Sequence, residues 1–391
     1  MMKGRFTIID RYIFGELMSP FFLGLATITL VLFIQKMFRL AELVISKGVS
    51  LAATMKLFLL ILPGFLVVTI PMSTLLASII AFSRLSSDSE ITAMKASCVS
   101  LYRMLKPVAL LAGLTCIITT VISLFVLPGA NRALKQHMFN MVKSSAMVAI
   151  EAGSFTSKFN NLIIYVDKMK SADELEGIFL SDERSTKDSF VITARRGRLI
   201  ADQQSLDVVL AMEDGTIHTS LRENQPYQQM TFATGNLYMD INNIFLPADQ
   251  LTSGNKHIGT LALLREIKRA RERGSSTSSM ESELHMRLSI PFACMVFGLA
   301  GAPLGIHRAR TGRSAGLAIA IGMFLGYYLV LGSSRNISEA GAVPPVLAYW
   351  LPNLLIALAA SGFIYLKATE IRPVLFDRFR SWYYRQRQSL R

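Results

Sequence analysis

Residues 86–100 read SSDSEITAMKASCVS and lie between two long apolar stretches. A short run of Ser, Asp and Glu in that position divides the greasy flanks into separate segments. How those flanks are read decides the fold. Of the 391 residues, 51% are hydrophobic and only 17% are charged, against roughly 25% charged in an average soluble domain. Mean hydropathy is +0.40, so the chain is expected to be a polytopic membrane protein.

A membrane helix needs about 20 mostly apolar residues. Six stretches qualify, at about Tyr12–Met37, Leu57–Phe82, Val108–Leu127, Ser289–Ile306, Ala315–Gly332 and Val346–Leu366. An even number of spans puts both termini on one side. Lys and Arg choose that side, because cytosolic loops are enriched in them. The segments grouped with the termini hold seventeen, from Lys3 through Arg84, Lys95 and Arg313 to the basic tail at 371–391; the opposite short loops hold five. Both termini are therefore expected in the cytosol. The net charge of +14 reflects this orientation and does not suggest nucleic acid. Residues 1–20 are polar, are followed by no small-residue cleavage site, and read as an amphipathic lead-in to the first span.

Between spans three and four lies one soluble block, residues 128–285, expected outside the cytosol. NLIIYVDKM alternates apolar and polar residues, and four further short alternating runs follow, broken by EDG, TG and NN turn signals. A small all-β sandwich or jelly roll is expected. Leu162, Ile164, Val166, Leu237, Met239 and Ile241 would face its interior. GTLALLREIKRARERG then returns to helical periodicity and ends at Gly274. Residues 1–127 thus form an N-terminal membrane half and residues 286–370 a C-terminal one.

The sequence has no GxxxxGK[ST] phosphate loop, no GxSxG and no HExxH. Cys98, Cys116 and Cys294 stand alone, without metal-ligand spacing. These features argue against an enzyme and imply no cofactor. In the polar gap, Ser87 and Glu90 fit a capping box, with Ser87 at the N-cap and Glu90 at N3. A short amphipathic helix over 86–98 follows, with Ile91, Met94 and Cys98 on one stripe and Glu90, Met94 and Ser97 adjacent. Its acidic start suits a groove on a partner protein better than anionic headgroups. Because the chain has no nucleotide site, the expected partner is a separate ATPase.

SDSEITAMKASCVS after the second span resembles the coupling segment of the lipopolysaccharide-export permeases, the LptF/LptG family. IQKMFRLAELVISKG, IIYVDKMKSADELEGIFLSDE, ELHMRLSIPFACMVFGLAGAPLG, RTGRSAGLAIAIGMFLGYY and LAYWLPNLL extend the likeness along nearly the whole chain. The QK pair followed by Arg39, with SEIT, leans toward the LptF branch. The resemblance implies six transmembrane helices with an inserted periplasmic jelly-roll-like domain, in the bacterial inner membrane. It also implies an LptG-like permease as second half, an LptB-like ATPase dimer, and LptC-like and LptA-like periplasmic jelly-roll proteins. Lipopolysaccharide would be extracted from the inner membrane and passed toward the outer one. Glu90, Ile91, Met94 and Ser97 would couple to the ATPase, with Val99 departing from a common Gly. Lys36 and Arg39, three residues apart at the outer end of span one, would meet lipid phosphates. Another ATP-coupled lipid or lipoprotein exporter is the main alternative; a secondary transporter is the other.

Overall fold

The computed structural model describes residues 7–47, 51–137, 152–159, 162–171, 174–182, 189–201, 208–220, 228–239, 256–306, 314–339 and 341–369. It divides into two compact units, one combining Met1–Ala130 with Asn255–Arg391 and the other comprising Asn131–Gly254.

The first unit is a helical bundle. It contains α1 (Ile8–Lys47), α2 (Leu51–Ser87), the short α3 (Glu90–Ala96) and α4 (Leu101–Val121), which continues through a π-helical turn at Ile122–Val126. After the β domain come α5 (Thr260–Glu272), α6 (Ser278–Gly305), α7 (Ser314–Glu339) and α8 (Pro345–Thr369). Six of these helices are long and apolar enough to cross a membrane, in the places that hydropathy indicated. Helix ends differ more. The amphipathic lead-in is no separate element, because α1 runs unbroken from Ile8 to Lys47. Polar residues past the hydrocarbon edge keep their helical hydrogen bonds, so composition marks the edge of the membrane and not the end of the helix. Helix α5, expected to close the β block, belongs to the bundle unit.

Small residues set the bundle's spacing. On α6, Gly298 faces Ala112 of α4 and Thr74 of α2, Gly301 faces Ser78, and Gly305 abuts the Ile79 carbonyl of α2. A methyl group at Gly305 would lie 2.6 Å from that oxygen. Such stripes let membrane helices approach closely where no hydrophobic force drives them together. Buried hydroxyls bond along and across the helices: Ser73 and Thr74 donate to the carbonyls of Thr69 and Ile70, and Thr74 meets Thr115 of α4 at 3.2 Å.

The second unit is an inserted all-β domain. Among the described residues its strands are β1 (Phe155–Phe159), β2 (Leu162–Met169), β3 (Glu174–Asp182), β4 (Ser189–Ala201), β5 (Val208–Ser220) and β6 (Gln228–Met239). They form one antiparallel sheet in sequential order, with no Greek-key crossing among the described residues. Ile164 and Val166 are buried as expected, paired with Leu180 and Ile178, and Leu237 is half-buried. Nothing is described of the Leu162 and Met239 side chains, and Ile241 lies outside the described residues.

Two turn signals are overturned. EDG lies inside β5 and TG inside β6. Instead, Gly215 and Gly235 clear a slot for the Phe232 ring, which a Cβ at either position would strike. A glycine within a strand often marks close approach of another group.

Candidate functional site

Helix α2 ends where Asp88 N–H donates to the Arg84 carbonyl and Ser89 N–H to that of Ser86. Ser89 then takes a left-handed conformation, φ 59°, and α3 begins at Glu90. The capping box is therefore absent. Ser87 is the last residue of α2, its hydroxyl donating to the Arg84 carbonyl at 3.0 Å, and Ser89 at the N-cap makes no side-chain cap. Cys98 repeats the left-handed turn at the other end. The Ser100 hydroxyl then starts α4 by accepting from the Arg103 N–H at 3.3 Å. Two tight reversals thus leave a seven-residue helix, too short to be stable alone.

Packing holds it in place. Ile91 is 4% exposed and joins a core with Ile13 and Leu17 of α1, Phe82 and Leu85 of α2, Leu101 and Val108 of α4 and Ala302 of α6. Met94 lies against the same core, as do Ile364 and Ala368 of α8. Polar latches reinforce this seat. The Glu90 carboxylate accepts from the Tyr12 hydroxyl at 3.1 Å. The Lys95 ammonium donates to the Lys367 carbonyl at 3.3 Å, and the Lys367 ammonium donates to the Ile306 carbonyl at the end of α6. Nearby, Arg84 pairs with Glu16 of α1 at 2.6 Å. Of the four residues singled out on this helix, Ile91 and Met94 face inward and Glu90 is engaged by α1. Ser97, at the C-cap, faces out together with Asp88, Thr92, Ala93, Ala96 and Cys98.

A cavity of about 460 Å³ opens between α1, α2 and α7, a size usual for ligand pockets. Leu23, Gly24, Ile28, Met72, Leu76 and Ile321 give it an apolar wall, and Glu16 and Arg84 stand at one end. Sequence reading missed it, since it closes only where α7, far along the chain, packs beside the consecutive helices α1 and α2. The only local signal is the spacing of small residues Ser19, Gly24 and Thr27 on α1.

Lys36 lies twenty residues beyond Glu16 on the same helix, with no charge between them. At 1.5 Å per residue that separation is about 30 Å, the thickness of the hydrocarbon layer. Lys36 is half-buried. Arg39 follows on the α1 backbone three residues later, on the same face, and its side chain is outside the described set.

Six membrane-length helices with an inserted β domain define a multi-pass membrane protein. Comparison with known proteins then places it. The model of the lipopolysaccharide export system permease LptF/LptG family matches residues 11–367, and the chain belongs to that family. It is a permease of a lipopolysaccharide export system and a multi-pass inner-membrane protein, as the resemblance implied. It is 22% identical to the lipopolysaccharide export system permease protein LptF of Escherichia coli K12 over 355 residues, covering 90% of this chain and 93% of that one. The Shigella flexneri LptF matches equally. An uncharacterized Rickettsia prowazekii protein, RP871, is 22% identical over 48% of this chain and 52% of its own.

Proposed function

We propose that this permease lifts lipopolysaccharide out of the inner membrane and hands it to a periplasmic bridge, driven by a separate ATPase seated on α3. The observation that carries this reading is the construction of α3. Its inner side is bound into α1, α2, α4 and α8, and its outer side offers Asp88, Thr92, Ala96 and Ser97 to a partner. A push on that outer side reaches most of the bundle at once. Glu90, Ile91 and Met94 then transmit the stroke and Ser97 lies at the contact.

On this reading both termini and α3 are cytosolic and the β domain is periplasmic, which the Lys and Arg asymmetry supports. The motor is an LptB-like ATPase dimer and the second membrane half an LptG-like permease. LptC-like and LptA-like proteins extend the β domain into the bridge. The cavity beside α1 receives acyl chains, and Lys36 and Arg39, at the far end of α1's apolar run, hold the anionic lipid phosphates through charge-assisted contacts.

Cys98 tests the first half. It is exposed at the end of α3, so an impermeant maleimide should label it in inverted vesicles, and bound ATPase should block the label. Labelling in intact cells with a permeabilised outer membrane, or labelling indifferent to the ATPase, defeats the proposal. Lys36→Glu with Arg39→Glu tests the second half. Lipopolysaccharide release should fall while the complex still co-purifies; unchanged release removes the phosphate contact.

A further inference from the structure

The α5 helix does nothing in the scheme above, yet its position is closely defined. The Thr260 hydroxyl at its start donates to the Leu124 carbonyl of the π-helical turn at 2.6 Å. It also accepts from the Arg287 guanidinium of α6 at 3.2 Å. Arg287 is 2% exposed. It pairs with Glu283 at 2.8 Å and donates to the Ile258 and Lys256 carbonyls, fixing the chain that leads into α5.

Those contacts give the depth of Thr260 in the bilayer by two routes. On α4, eighteen uncharged steps separate Leu124 from Lys106, about 27 Å at 1.5 Å per residue. On α6, eighteen steps run from Arg287 to Gly305, the end of the helix, again without a charge, and give the same distance of about 27 Å. A hydrocarbon layer is about 30 Å thick, so both helices put Thr260 at its edge. From there α5 climbs away from the apolar layer. Arg271, near its far end, reaches Glu281 at 2.8 Å, and Glu281 precedes Arg287 on α6 by six residues, about 9 Å of helix.

The exposed side of α5 is ordered along this climb. Leu263 and Ile267 are buried. Leu261 and Leu264, within the first five residues of the helix, are 69% and 45% exposed. Arg265 and Lys268, each four residues further on and so one turn higher on the same face, are exposed and make no ion pair among the described residues. Each leucine at the hydrocarbon edge thus has a cation one turn above it, at headgroup level. Apolar side chains in the acyl boundary with cations among the headgroups is the arrangement of an interfacial anchor.

We infer that α5 binds the anionic phospholipids of the surrounding leaflet at the Arg287 end of the bundle, with Leu261 and Leu264 among acyl chains and Arg265 and Lys268 on headgroup phosphates. The inference needs only that the bundle sits in a bilayer, and it stands or falls apart from the coupling role of α3.

The test uses the full chain in nanodiscs free of lipopolysaccharide, made from phosphatidylcholine alone or with an equal part of phosphatidylglycerol. A bimane probe at Leu264→Cys, in a Cys98→Ser background, should be quenched by headgroup-spin-labelled lipid, and a probe at Glu272→Cys much less. Each cation near an anionic surface strengthens binding about fivefold. Arg265→Gln with Lys268→Gln should therefore lower phosphatidylglycerol retention, read by native mass spectrometry, by up to about thirtyfold. Leu261→Ser, combined with the probe at residue 264, should reduce the quenching while keeping the charges. A probe at residue 264 that reads as fully aqueous in both lipid mixtures overturns the inference. So does phosphatidylglycerol retention that the glutamine pair leaves unchanged, or retention of anionic lipid only once lipopolysaccharide is added.

Discussion

Ile91→Ala isolates what holds α3 to the bundle. The side chain is 4% exposed and packed among Ile13, Leu17, Phe82, Leu85 and Leu101. Truncation removes three carbons, worth about 0.8 kcal/mol each when buried, or about 2.4 kcal/mol together; the cavity left behind adds to the loss. A seven-residue helix has almost no stability of its own, so the loss falls on the seating of α3. The bulk of the membrane helices should be spared. At 1.4 kcal/mol per factor of ten, the equilibrium for α3 lifting away should rise about fiftyfold. Hydrogen exchange reads this directly. The amides of Ala93, Ser97 and Val99 are bonded to the carbonyls of Ser89, Ala93 and Met94, and their protection should fall by about that factor while the amides of α2 and α6 stay protected. If α3 transmits an ATPase stroke, hydrolysis by the assembled complex should continue while lipopolysaccharide release falls. Unchanged protection over 93–99 would refute the packing argument, and equal loosening of α2 and α6 would refute the claim that α3 moves as a separate piece.

Other perturbations test neighbouring claims. Gly305→Ala places a methyl 2.6 Å from the Ile79 carbonyl and should destabilise the bundle by about 1–3 kcal/mol; Gly322→Ala, with open space around it, should be neutral or slightly stabilising in the same thermal assay. Phe232→Ala empties the slot formed by Gly215 and Gly235 and should cost the β domain about 2 kcal/mol, less than the truncation of a fully buried ring, seen as faster proteolysis of that domain. Lys95→Met removes the bond to the Lys367 carbonyl while keeping the aliphatic stem. It should cost about 1 kcal/mol, increase hydrogen exchange at the end of α8, and leave Ile91 seated.

What could be read from the sequence depended on how local the physics was. Twenty apolar residues in a row have one economical home, so all six spans were legible from composition. Alternation marked Ile164 and Val166 as interior for the same reason, since burial on one face of a strand leaves a period of two. The failures came where a local pattern had two physical solutions and a distant residue chose between them. Ser87 and Glu90 satisfy the spacing of a capping box, yet Ser87 can equally finish α2. The choice is made by the seat for Ile91 on α1 and α4 and by the Tyr12 hydroxyl, 78 residues from the Glu90 that it engages. EDG and TG read as turns until the Phe232 ring explains their glycines. Arg287 lies just before the span expected at Ser289–Ile306 and carried no signal of its own, yet its partners at 256, 258 and 260 make it the post to which α5 is tied. In each case a contact distant in sequence made the choice, and within the spans the pressure to find one is strongest. Water inside a bilayer is scarce, so each polar group there must find a partner in the protein, and the partner it finds decides which way the chain turns. The polar residues of this chain therefore define its working parts: Glu90 and Lys95 tie down the helix that a motor would push, and Arg287 and Thr260 set the height at which α5 meets the lipid.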